Sequence, residues 1–191
     1  MPAPGSNAPS AARQRILKAA HQLFYAQGIR ATGIDQLLAV ADVARMSFYK
    51  HFPSKQALVV AFLHERHSHW QRGLEAQAKA RAHTPADEVR AIFGVLADWF
   101  GEADFRGCAF INTVLETTDP HTEEYLIARQ HKQELHAYLE ELLRAAKYAN
   151  PSRGATQLLL LIDGAIVRAQ LGDGPAAALT AQGLAELLLA R

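Results

Sequence analysis

Residues 32–58 read Thr32-Gly-Ile-Asp-Gln-Leu-Leu-Ala-Val-Ala-Asp-Val-Ala-Arg-Met-Ser-Phe-Tyr-Lys-His-Phe-Pro-Ser-Lys-Gln-Ala-Leu58. Ile34, Leu37, Leu38 and Ala41 recur at helical spacing, with Thr32 placed as an N-cap. Asp42 falls in a tight break. A second short helix, about Ala44 to Phe52, then carries Arg45, Ser47, Tyr49 and Lys50 within six residues. Pro53 stops it, because the residue before a proline disfavours helical geometry. This is the pattern of a helix-turn-helix. Val43 and Phe48 fall where they can anchor the second helix, which leaves Arg45, Ser47 and Lys50 facing outward, as entry into a DNA major groove requires. Ser54 and Lys55 open the next helix, whose first amides and lysine can together hold a phosphate.

Charge is distributed to match. Residues 1–55 hold seven Lys and Arg against two Asp, a net +5, so the rest of this +1 chain of 191 residues carries −4. An N-terminal basic module of this kind is suited to a polyanion. With 49% apolar residues, a full core can form. The single cysteine, Cys108, excludes an intramolecular disulfide and fits a reducing, cytoplasmic setting. No apolar run reaches the length of a membrane span. Residues 1–10 read as a flexible tail rather than a signal peptide.

Outward from the motif, the periodicity is helical throughout and the predicted class is all-α. A first helix spans roughly 11 to 27, its apolar stripe closing at Gly28. A long helix runs from 54 to about 82, another opens at Pro85, and residues 101–107 form a loop. A short helix follows through Phe110, Ile111 and Val114, then a long one from about His121 to Lys147. The last two, 154–171 and 175–190, are apolar almost all round. Such a helix must be covered on every side, and a second subunit is the simplest cover. Leu158, Leu161, Ile162, Ala165, Leu184, Leu187 and Leu188 are therefore predicted to form a homodimer interface.

On Gly28, Thr32, Ile34, Leu37, Ala41, Val43, Ser47, Tyr49, His51, Phe52, Lys55 and Leu58, the chain resembles the TetR family of bacterial transcriptional regulators over roughly residues 13 to 60. The resemblance implies that Thr32, Tyr49 and Lys55 hold phosphates and that Arg45, Ser47 and Lys50 lie nearest base edges. Family members commonly read Ala-Gly-Val-Ser across the turn, where this chain has Ala41-Asp42-Val43-Ala44; the small residue often found in place of Met46 is also absent. Gly107-Cys108-Ala109-Phe110 and Leu161-Ile162-Asp163-Gly164-Ala165 are similar to a subgroup with a Gly-Cys-x-Phe signature. The implied fold has about nine helices: a DNA-binding domain over 11–53, then a domain over 54–191 that binds a small molecule and dimerises through its last two helices.

Each candidate has a plainer alternative. Tyr49 and His51 can be packing residues, and Lys50 and Lys55 solvated lysines. Phe93, Trp99, Phe100, Phe105 and Phe110, with Cys108 and Asn112, are candidates to line an effector pocket, but helical spacing suits plain core equally. Cys108 as a sensor thiol is weighed against a small buried hydrophobe, and the latter is favoured. His64, Glu65, His67 and His69 do not converge on one helix face, so no metal site or cofactor is assigned, though His67 can reach the ligand domain. Asn112, Glu116 and Asp163 are polar residues on apolar helices, suited to orienting a ligand or to capping. No catalytic grouping appears.

The expectation is a homodimeric repressor that binds near-palindromic operator DNA and is released by a small apolar or aromatic effector of unassigned identity, with helix 54–82 as lever. The rivals are a helical ligand-binding protein without specific DNA binding and a metal-dependent enzyme.

Overall fold

The computed structural model describes residues 10–190. The predicted tail over residues 1–10 lies outside them except for Ser10. Nine α-helices make up this part: α1 (Ala11–Gln27), α2 (Ile34–Ala41), α3 (Arg45–His51), α4 (Lys55–Ala80), α5 (Pro85–Phe100), α6 (Ala109–Glu116), α7 (Glu123–Ala145), α8 (Pro151–Arg168) and α9 (Pro175–Leu189). No described residue lies in a strand, and no described helix is long and apolar enough to cross a membrane.

Local chemistry sets the helix ends. The hydroxyls of Ser10, Ser54 and Thr84 accept hydrogen bonds from the amides of Arg13, Ala57 and Asp87, which satisfies one orphan donor at each N-terminus. Gly28 ends α1 at φ +92°, where a side chain would be strained. The long seventh helix is two residues shorter at each end than predicted.

Two predictions at helix starts fail. Thr32 is not the N-cap of α2; Gly33 is, its amide donating to Gln36 Oε1 at 3.1 Å. Thr32 is fully buried and donates its hydroxyl to the Gly28 carbonyl at 2.7 Å, so it braces the α1–α2 connection. The eighth helix begins at Pro151 rather than 154: Asn150 Oδ1 accepts from Arg153 N, and proline at the first helical position needs no donor.

The helices form one continuous core. Phe48, Leu37, Ile16 and Ala20 are at or near zero exposure and lock α3 and α2 onto α1. Leu58, Phe62 and Leu63 of α4 extend that core into the rest, where α4 packs on α5 and α7, α5 on α9, and α7 on α8. After α8 the chain makes a wide turn over Ala169–Asp173, with Gly172 at φ +114°, and α9 folds back on α8.

Candidate nucleic-acid interface and effector cavity

Phe48 is the buried anchor of α3. With it fixed inward, the helical period places Arg45, Met46, Tyr49 and Lys50 outside, Met46 at 83% exposure, while Ser47 is half-buried. The turn that sets α3 on α2 puts Asp42 at φ +50°, the left-handed conformation a glycine would take most easily. Arg15 of α1 secures this turn. Its Nε and Nη2 donate to the carbonyls of Ala41 and Asp42, both at 3.1 Å, which occupies acceptors at the open C-terminus of α2. Ala44 gives α3 no side-chain cap. Arg45 forms a close ion pair with Asp35 of α2, so the two helices of the motif are tied at their outer edge. Neither the Arg15 nor the Asp35 contact is legible in the sequence, because both act across 10 or more residues.

Lys55 is half-buried at the start of α4, and burial lowers its pKa, opposed by the Glu116 carboxylate nearby. Thr32 presents no side-chain surface, so the placement of the predicted phosphate-holding set is uneven: Tyr49 is exposed, Lys55 partly so, Thr32 not at all. His51 Nε2 lies 3.0 Å from Ser10 Oγ and is half-buried.

Glu116, at the end of α6, reaches into the N-terminal helices. Its two carboxylate oxygens accept from consecutive amides, Ile29 N at 3.0 Å and Arg30 N at 2.6 Å. At the other end of α6, Tyr25 of α1 donates its hydroxyl to the Gly107 carbonyl and accepts from Arg106 N, both at 3.0 Å, with the Arg66 guanidinium 4.1 Å above its ring. Thus the end of α6 is tied to the α1–α2 connection, and the residues leading into α6 are tied to α1.

The same α6 forms a wall of a cavity of about 570 Å³ between α6, α7 and α8. Phe110, Ile111, Val114 and Leu115 of α6 and Leu159 of α8 supply its apolar lining; Arg129, Lys132, Gln133 and His136 of α7 and Asp163 of α8 supply its polar groups. The predicted aromatic set falls mostly outside this cavity. Of that set only Phe110 lines the cavity. Phe93, Phe100 and Cys108 are buried core; Trp99, Phe100 and Phe105 pack edge-on or tilted against one another at 5.0 to 5.6 Å between centroids; and Asn112 donates to the Arg106 carbonyl. Aromatic residues near in sequence pointed to different helix faces.

Behind Phe110, its ring stacked at 3.8 Å, lies His131, 2% exposed. His67 of α4 sits with Nδ1 2.9 Å from His131 Nδ1 and Nε2 3.0 Å from Glu134. When His67 is neutral and gives its Nε2 proton to Glu134, its Nδ1 accepts from His131. Burial first, then Lys132 and His67, push the His131 pKa down to about 3. His64 and His69 point elsewhere: His64 is exposed and His69 is close to the Glu65 carbonyl. No group of three or more potential metal ligands converges among the described residues.

The residues of the predicted interface divide between core and surface. Leu158, Ile162 and Ala165 are 1–5% exposed inside their own subunit, and Leu161 is half-buried. Leu184 and Leu187 are exposed and Leu188 half-buried. The outward apolar residues here are Leu160, Gly164 and Val167 of α8 and Leu171 of the turn after it, beside Leu179, Leu184 and Leu187 of α9.

Comparison with known proteins agrees with this architecture. Residues 16–62 match the family model described as bacterial regulatory proteins, tetR family. Over 94% of this chain and 95% of the other, the protein is 32% identical to a TetR-family transcriptional regulator from Streptomyces coelicolor, whose crystal structure superposes with a TM-score of 0.86. The HTH-type transcriptional regulator YjdC of Escherichia coli is 24% identical over 93% of each chain. The reduced form of Escherichia coli NemR shares the fold, with a TM-score of 0.81 at 22% identity over 93% and 96% of the two chains.

Proposed function

The chain belongs to the TetR family of bacterial regulatory proteins, and from that premise we propose that it is a homodimeric repressor released from near-palindromic operator DNA by a small effector. Residues 11–53 would bind DNA; residues 54–191 would bind the effector and dimerise. The observation that carries the reading is the outer face of α3, where Arg45, Met46, Tyr49 and Lys50 stand exposed on a helix bolted inward by Phe48. Tyr49 and Lys55 would position the protein on phosphates, and Arg45, Ser47 and Lys50 would meet base edges. Thr32 is better placed to hold the fold of this surface than to touch DNA. The Gly107-Cys108-Ala109-Phe110 segment supports placing the chain in the Gly-Cys-x-Phe subgroup.

Two subunits related by a twofold axis would set their recognition helices about 34–36 Å apart. An effector in the α6–α7–α8 cavity would act on α6, whose Glu116 grips the α1–α2 connection, and so on the spacing. The test is binding to the DNA flanking the coding region, titrated with salt. Lys55→Ala is expected to lower the salt slope by about 1, since each phosphate contact contributes roughly 0.9. An unchanged slope and affinity would remove the DNA-binding assignment.

A further inference from the structure

The cavity between α6, α7 and α8 is chemically lopsided. Phe110, 3% exposed, lies at its buried end, and Val114 and Leu159 continue the apolar walls. The basic groups all come from α7: Arg129, Lys132 and His136, whose spacing of three, four and seven residues places them on one helix face. A single carboxylate, Asp163, opposes them, and it is taken up by Lys132 at 2.5 Å. His136 is turned to Thr156 and Glu140. Arg129 is exposed at the rim and has no ion pair among the described residues. The site thus has an apolar interior and one cation in excess at its mouth.

We propose that this cavity takes a small amphipathic monocarboxylate, its acid group on Arg129 and Lys132 and its apolar body against Phe110, Val114 and Leu159. The proposal rests on the reading of residues 54–191 as an effector domain and names the effector's chemical class. A volume near 570 Å³ suits a ligand of modest size, since small-molecule pockets span roughly 300–1,000 Å³. The planar guanidinium of Arg129 can hold a carboxylate through two parallel hydrogen bonds. A monoanion restores neutrality to the mouth; a neutral ligand of the same shape leaves Arg129 uncompensated, and a second negative charge meets Asp163.

The test is calorimetric titration of the full-length protein with benzoate, 2-naphthoate and octanoate, each paired with its neutral primary amide. At least one acid should bind, one per subunit and about tenfold or more tighter than its amide, as expected for hydrogen bonds to a charged partner. Arg129→Gln should bring that acid down to the level of its amide and leave the amide unchanged. Val114→Trp, confirmed as folded by circular dichroism, should abolish both. The proposal is overturned if no acid outbinds its amide or if Arg129→Gln changes nothing. It is equally overturned if Val114→Trp turns a dimer into a monomer in sedimentation velocity, which would make the groove a subunit contact. Operator affinity measured in the same samples separates the two readings. An acid that binds without loosening DNA leaves the cavity assignment standing and removes release by the effector. Operator binding with no selective acid binding does the reverse.

Discussion

Asp42 shows how one residue fixes the geometry of the α2–α3 motif. Its φ of +50° is tolerated by Asp and is costly for a β-branched side chain. Asp42→Val should therefore lower stability by about 1–2 kcal/mol, read as a lower urea midpoint, and Asp42→Gly should not. His131 gives a second residue-scale prediction. Its folded pKa of about 3 lies below the ordinary 6.5, so the native state resists a proton that the unfolded chain accepts. Stability is then full above pH 6.5 and is lost as pH falls from there toward 3, by about 2 kcal/mol at pH 5. His21, whose pKa burial also lowers, acts in the same direction. Urea midpoints measured at pH 7 and pH 5 should converge in His131→Leu; an unchanged pH dependence would mean that His131 is not the group responsible. At Glu116, replacement by Ala leaves the amides of Ile29 and Arg30 without their acceptor. The expected cost is about 2 kcal/mol, with faster hydrogen exchange at those two amides.

At the scale of helices, the sequence was legible wherever a local rule decides. Ser54 and Pro85 marked starts that the structure keeps, and Gly28 marked an end, because caps and proline act within a turn. What stayed illegible depended on which face of a helix meets which neighbour. The aromatic residues between 93 and 110 are close in sequence, yet they divide among core, a cluster of tilted and edge-on rings and a cavity wall. The cationic stripe of α7 had a readable spacing, but nothing local said that α6 and α8 would close a cavity over it. The long helix α4 offers an element-scale prediction. Gly73 lies within it, and a Cβ there would meet nothing within 4 Å. Gly73→Ala should raise stability by about 0.5–1 kcal/mol, because glycine pays more backbone entropy than alanine in a helix interior. A calorimetric melting temperature that fell instead would show that α4 is not a regular helix at this point.

For the whole molecule, the apolar residues of α8 and α9 divide into two sets with different consequences. Leu158 and Ile162 face their own subunit, so Leu158→Ala should open a cavity in the core and cost about 2–5 kcal/mol. Folded protein should keep its oligomeric state. Leu160 and Leu171 of the α8 side and Leu187 of α9 are 65–74% exposed, and an apolar stripe of this kind on two adjacent helices needs a cover. If that cover is a second copy, Leu160→Glu with Leu187→Glu places four carboxylates in a twofold interface and should give a folded monomer in sedimentation velocity. Each monomer would still carry a complete α3 but could occupy only one half-site, so operator affinity should drop far more than binding to a single half-site. A double variant that remained a dimer would place the subunit contact elsewhere and remove the basis for a fixed spacing between the two recognition helices.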